Sequence, residues 1–557
     1  MRIRSFIAIC LAVILALSLA ACGKNPEVVN PETKPDNSSA TNTTAGETKQ
    51  QDTTEVKEDD KYGGTASIVI TGDVQSLIIA ASQGGNDDCT IAMILFDFLT
   101  MYNPNTGEYE GRILESWEHN EDYTEWTMHV RPGIKWHDGV ELTAEDIVFT
   151  SEYLANPDLD IYAGMQVEST EQYELVDKYT YKIKTEYPNT SVLAAWSTPL
   201  PKHIWENVDP SNFSKAKEGS APIGCGPFKF VEYKVGEYIK FERFDDYWGG
   251  KPYLDTLYLR IIGDNSAAVA ALESGQVDFV NVDATIAETM VNKEGISLFK
   301  GASGNVMRLY FNNEEPRFQD VRVRQAFAHL MQREVYCEQA MKGFADPAYS
   351  DWAPTDFYYL GDAYKKYDYN IDKACELLEE AGWKVGADGI REKDGERLEF
   401  EAFYSAAQAG TALLIMQPVF EQAGIKLIPK MPDDATLDEI WDTHNYTLMI
   451  MGTTMGPDPS RYSYIFGTAD PTWNIMVYYD ETVYNLFLQA MGALNEDEQK
   501  QLYQQIQTEL ANQLPNIPLW YRHTIYAINS KLRIEEATPV GYLHWKFLHY
   551  DKLYMMK

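Results

Sequence analysis

Enzymes that break bonds tend to carry local signatures of a nucleophile, a base or a metal, and the common ones are missing from this sequence. Its nine histidines form no HExxH pattern, and no GxSxG elbow frames a serine. The 84 Asp and Glu residues could supply a carboxyl pair for glycoside hydrolysis, which needs only two acids at the right separation. No spacing singles out such a pair, so a secreted hydrolase stands as an alternative without named residues. Cys89, Cys225, Cys337 and Cys375 are widely spaced with no CxxC, which leaves three disulfide pairings or unpaired thiols open. The residue types suit binding better. Residues 449–464, MIMGTTMGPDPSRYSY, run from an apolar strand into a Gly/Pro-rich loop, where ligand-facing groups stand on rigid scaffolding. Gly452, Thr453, Thr454, Met455, Asp458 and Arg461 are the candidate ligand-binding residues of that loop. Trp473 and Asn474 add an aromatic face beside an amide, a pairing suited to a sugar ring or a neutral peptide segment. No catalytic residue, metal ligand or cofactor is expected.

Positioning such a loop takes a large body. At 557 residues the chain exceeds one ordinary domain, so two or more lobes are expected. Residues 1–21 read as a signal peptide: Arg2 and Arg4 are followed by an apolar run, residues 7–19, too short to span a bilayer comfortably. Leu19-Ala20-Ala21-Cys22 resembles a bacterial lipobox, which implies cleavage before Cys22 and a diacylglycerol on its thiol. Residues 22–61 then read as a disordered tether, poor in large apolar side chains. The expected address is the outer face of the cell membrane, through a lipid anchor only. With 47 Lys and Arg against 84 acids the net charge is −37, which repels phosphate backbones and argues against nucleic acid as a partner.

The stretch on which the body is organised is residues 126–153, WTMHVRPGIKWHDGVELTAEDIVFTSEY. Trp126, Met128 and Val130 alternate with polar residues as a half-buried strand does. Pro132-Gly133 breaks it, His137-Asp138-Gly139 turns, and Thr143 with Asp146 three residues on reads as a helix N-terminus. The helix should bury Ile147, Val148, Ser151 and Leu154. Further blocks are Pro222-Ile223-Gly224-Cys225-Gly226-Pro227-Phe228, Arg243-Phe244-Asp245-Asp246-Tyr247-Trp248, and Phe318-Gln319-Asp320-Val321-Arg322-Val323-Arg324-Gln325-Ala326. In order and spacing these blocks resemble the extracellular solute-binding proteins of family 5, which feed peptide, nickel and oligosaccharide ABC importers.

The resemblance implies an α/β, two-lobed periplasmic-binding-protein-like fold, hinged around a central ligand cleft, with an extra subdomain in the first lobe. By that analogy the first lobe covers 62–309 with an insertion at about 107–220, the second covers 310–525, and 526–557 return to the first. It implies a monomeric, non-enzymatic binding component that captures a small solute, of the peptide class, and delivers it to permease and ATPase subunits. An oligosaccharide is the alternative ligand, and a surface receptor of the same fold without transport the alternative role. In the peptide-binding branches an aspartate four residues before the loop proline pairs with the ligand ammonium; here Met455 holds that position, while Asp458 directly precedes Pro459. Without that counter-ion a buried ammonium is costly, so short peptides with a free amino terminus are expected to bind poorly. The resemblance also puts the Gly224–Gly226 loop beside the cleft, which leaves Cys225 either facing the ligand or packed inside.

Overall fold

The computed structural model describes residues 57–74, 76–78, 86–103, 108–159, 171–186, 188–189, 192–194, 198–354, 356–361, 367–454, 459–468, 474–534 and 549–556. The expected signal peptide, Cys22 and most of the tether lie outside these residues. The end of the expected tether is ordered: Glu58–Lys61 forms a helical turn, and Lys61 is buried. The Lys61 ammonium sits 5.3 Å from the Tyr253 ring centroid, and Glu58 accepts hydrogen bonds from Lys61 and the Tyr253 hydroxyl at 2.9 Å each. A cation over an aromatic face, closed by a carboxylate, gives this otherwise polar turn a reason to order.

Among the described residues eleven strands make one mixed sheet. In chain order they are β1 (Thr65–Ile70), β2 (Phe228–Lys234), β3 (Tyr238–Arg243), β4 (Thr256–Ile261), β5 (Phe279–Asn281), β6 (Ile296–Phe311), β7 (Ala345–Pro347), β8 (Glu399–Tyr404), β9 (Lys426–Lys430), β10 (Leu448–Thr454) and β11 (Asn516–Asn529). Across the sheet the order is β9-β8-β10-β6-β11-β5-β1-β4-β3-β2, with β7 also on β11. The long antiparallel pair β6 and β11 therefore joins the two ends. Its register slips between Ala302 and Asn305, where Ser303 and Gly304 have no partner on β11. Gly304 takes φ +69°, a left-handed value that a side chain resists. The Ser303 hydroxyl closes the bulge, donating to the Arg522 carbonyl at 2.6 Å and accepting from the Asn305 amide at 3.2 Å.

The buried apolar residues sort by face. Leu309 and Phe311 of β6 join a cluster with Phe327, Phe400 and Phe420, while Tyr310 between them joins another with Met449, Tyr462 and Phe487. On β11, Ile525 and Ala527 join the Phe327 cluster, and Tyr526 and Ile528 join a third with Ile68, Trp136 and Phe241. Period-2 burial on both sides is what a central strand requires. The Ile68 and Tyr310 clusters are separate, and between them β11 changes from buried residues to Arg522, exposed, then His523 and Thr524, partly buried.

A smaller sheet, Leu114–His119, Glu125–Val130, Thr180–Thr185 and Glu171–Asp177, carries the signature strand, whose Trp126, Met128 and Val130 point inward as expected. The helix after it spans Ala144–Leu154, and the Asp146 carboxylate accepts from the Thr143 amide at 2.9 Å. Its buried face is Ala144, Ile147, Val148, Thr150 and Tyr153; Ser151 and Leu154 are only partly covered, a small rotation from the expected stripe. Asp146 also accepts from the Lys202 amide at 2.9 Å and Thr150 Oγ1 from the Leu200 amide at 2.8 Å, so the polar groups of the buried face meet residues 200–202.

Two sequence blocks meet at His137. Its Nδ1 accepts from the Gly224 amide at 3.2 Å and its Nε2 lies 3.0 Å from the Gly226 carbonyl, which makes Nε2 the protonated nitrogen. Burial pushes this imidazole down to about 4, against the bond to Gly226 that would raise it. The glycines are required by contact: a Cβ at Gly224 would sit 1.8 Å from the Leu95 carbonyl oxygen, and one at Gly226 2.5 Å from that of Phe96. The Gly226 amide donates to Leu95 at 2.9 Å, satisfying a carbonyl at the end of the helix Asn86–Leu95. The third block is fastened by Asp97, which accepts from Arg112, Tyr247 and Trp248. Among the described residues no helix is long and apolar enough to cross a membrane.

Candidate ligand cleft

β10 is paired on both sides only at its start. β8 meets it at residues 448–450, whereas β6 follows it from 448 to 454. Among the described residues the backbone of 451–454 is thus an open strand edge. The cause lies in β8, which ends at Tyr404 as the chain turns into the helix Ala407–Gln422. Gly452 lets β6 come close: a Cβ there would stand 2.4 Å from Asn305 Oδ1 and 2.5 Å from Met307 Sδ.

Behind this edge lies a buried polar knot. Arg308 on β6 is fully buried; its Nε donates to Asp351 Oδ1 at 2.8 Å, its Nη2 to the Asp351 carbonyl at 2.7 Å, and its Nη1 to the Val306 carbonyl and the Thr453 hydroxyl. Tyr310 shares the Thr453 hydroxyl at 3.0 Å. Burial raises the Asp351 carboxyl, with Arg308 opposing. The ion pair is one whose charges are held by extra hydrogen bonds, the condition under which a buried pair is tolerated. Next in the chain, Trp352 stacks on Tyr462 with ring centroids 4.1 Å apart, and the Tyr462 hydroxyl donates to Asp356 at 2.8 Å. The segment 350–356 and the far end of the β10 loop are thereby locked together.

Gly452, Thr453 and Thr454 lie together on the open edge, and Arg461 sits nearby in chain on the 3-10 turn Pro459–Tyr462. Met455, Asp458 and Trp473 lie outside the described residues. Asn474 is not displayed: it is buried, its Nδ2 donating to the carbonyls of Thr468 and Tyr478 and its Oδ1 accepting from the Tyr478 amide. That corrects its assignment as a ligand amide, since every hydrogen-bonding direction closes a loop. Cys225 takes the packed placement, fully buried in the Ile68 cluster, and burial pushes its thiol up. Cys225, Cys337 and Cys375 are all free thiols.

Arg308, Asp351, Asn305 and Arg522 were not picked out from the sequence. Asn305 and Asp351 carried no local signal; for Arg308 and Arg522 the signal was present as charge inside apolar runs, VMRLYF and LWYRHTIYAI, where a polar group needs a tertiary reason. Register supplies it: Asn305 faces Thr454 on one side and Arg522 on the other, and its Nδ2 donates to Thr454 Oγ1 at 3.0 Å.

Residues 108–474 match the family model described as bacterial extracellular solute-binding proteins, family 5 Middle. The chain is 30% identical over 485 residues to the oligopeptide-binding protein AppA of Bacillus subtilis, covering 83% of this chain and 88% of that one. The solved structure of that protein in complex with a nonapeptide superposes with a TM-score of 0.74 at 26% identity, covering 89% of this chain and all of that one (100%). The ABC transporter substrate-binding protein CtaP from Listeria monocytogenes gives a TM-score of 0.81 at 25% identity, covering 89% and 100% respectively.

Proposed function

The chain belongs to the bacterial extracellular solute-binding proteins of family 5, and from that premise we propose that it captures an extended oligopeptide, closes over it and delivers it to a permease, while a lipid on Cys22 holds it to the outer face of the membrane. The family binds solutes rather than transforming them, and the protein acts in ABC import. The observation that carries the peptide reading is the open edge at residues 451–454. An extended peptide can add to such an edge through main-chain hydrogen bonds, with side chains left to neighbouring pockets. The similar proteins named for oligopeptide binding and solved with a nonapeptide support the same class. Closure is supported by the separate Ile68 and Tyr310 clusters on strands shared through β6 and β11. In this reading the lobes are 62–309 and 310–525, with 526–557 completing the first, and no chemistry occurs in the cleft.

Mass spectrometry of solute retained by the purified mature protein tests the class. Intact peptides are expected; cleaved peptides, or only non-peptide solutes, would overturn the reading. The anchor has its own test. A Cys22→Ser variant is expected in the soluble fraction or as unprocessed precursor, and normal processing with retention on the membrane would remove the lipid from the proposal.

A further inference from the structure

Arg522 is the exposed member of an otherwise buried stretch, residues 516–522 of β11. It stands in the interval between the Ile68 and Tyr310 clusters, and its cross-strand partner Asn305 binds Thr454 at the end of the open edge. Thr454, Asn305 and Arg522 thus form one row across β10, β6 and β11, and directly opposed side chains of antiparallel strands share a face. Among the described residues no carboxylate lies within ion-pair distance of Arg522. The charged group that acts on it most is Asp283, whose carboxylate already caps the helix Ala284–Met290 through the Ile286 amide at 2.9 Å. Although open to solvent, the guanidinium is enclosed by enough protein that desolvation draws it below the ordinary arginine range. The chain has 84 acids to 47 bases, and exposed cations elsewhere have an acid at hand, as Lys135 has Asp246 and Lys178 has Glu141.

We propose that Arg522 is the anion-recognising group of the cleft, pairing with a carboxylate of the extended peptide laid along residues 451–454. The inference rests on the peptide reading above and adds the charge of the ligand. A guanidinium offers a planar fork to a carboxylate, and a half-enclosed site weakens the competing water. Within the described row the charge is of one sign: Arg522 is its cation, and Asn305 and Thr454 are neutral. The preferred solute therefore presents negative charge near β10, either as its terminal carboxylate or as an Asp or Glu side chain.

The test is calorimetry on the mature wild-type chain and an Arg522→Gln variant, with one N-acetylated nonapeptide sequence in several forms. The forms are the free acid, the C-terminal amide, and the amide with a central Glu or a central Gln. Wild type is expected to prefer an acid-bearing form by about tenfold to a hundredfold, the worth of a charge-assisted pair. Preference for the free acid over the amide assigns the terminal carboxylate, and preference for Glu over Gln in the amides assigns a side chain. In Arg522→Gln the charged and neutral affinities should converge, and Arg522→Lys should restore part of the difference. Peptides that bind both proteins without regard to charge overturn this inference and leave the peptide reading standing. If no form binds wild type, the peptide reading falls and the carboxylate assignment falls with it.

Discussion

His137 accepts one hydrogen bond and donates one, and both partners are backbone groups that cannot move without dragging Gly224 and Gly226 off the helix end beneath them. Protonation would put a second N–H against the Gly224 amide. The folded imidazole titrates at about 4, against about 6.5 in an unfolded chain. Between those values the unfolded state binds the extra proton, so stability is full above about 6.5 and falls as pH drops toward 4. The loss is expected to be on the order of 2 kcal/mol after allowing for the partial exposure of the ring. Denaturant unfolding over that range should show it, and a His137→Gln variant should show a flatter slope. Glu141, held down to about 2 by Lys178 and Tyr179, contributes in a different window: its stabilisation is present above the unfolded carboxylate value and is lost only as pH falls toward 2. An unchanged slope in His137→Gln would exclude the histidine as the source. The sequence made each half of this contact legible, as a turn histidine and as glycines in close approach, but not their meeting. Asn474 shows the opposite limit. An amide beside a tryptophan reads as a ligand contact until its partners, Thr468 and Tyr478, are seen.

At the scale of elements, the β6 bulge at Ser303 and Gly304 is one of two register shifts in the strands that link the two ends of the sheet, the other lying between Met307 and Arg308. Ser303→Ala removes a donor to Arg522 and an acceptor for Asn305, and about 1–2 kcal/mol of stability should go with them. Gly304→Ala must adopt φ near +69° and should cost about 1 kcal/mol more than a neutral glycine replacement elsewhere. Thermal unfolding reads both, and melting temperatures equal to wild type for the two variants would show that neither residue holds the bulge. The edges of the sheet are blunted by ordinary means: β9 carries Pro429 between lysines, and β2 has a register shift between Phe230 and Glu232. Strand identity was largely readable from period-2 burial, as in the signature strand, and helix ends from their caps. The pairing of β6 with β11 was not, because partners such as Asn305 and Arg522 are more than two hundred residues apart and their local patterns do not name one another.

For the whole molecule, closure around the ligand predicts a smaller radius of gyration by solution scattering when a tightly bound peptide is added to ligand-free protein. An unchanged radius at saturation would rule out lobe closure. The class of protein was legible from ordered blocks because those blocks make tertiary contacts with one another, at His137 and Asp97, so their residues are fixed together. The ligand was less legible, since the unpaired edge and the row across three strands on which the proposals rest are set by strand register, not by local sequence.

The Ile68 and Trp136 cluster draws on Tyr526, Ile528, Leu532, Ile534, Tyr550 and Leu553. A chain that emerges amino end first, from a ribosome or through a secretion pore, cannot finish its earliest core until its latest strand arrives. Until that strand arrives the apolar face built from β1, β3 and β4 stays incomplete, which leaves the unfinished chain loose and exposed to chaperones and proteases. A chain stopped short of Leu532 should for this reason be cleared from the cell rather than persist as a folded fragment, even though every residue of the second half's core is present.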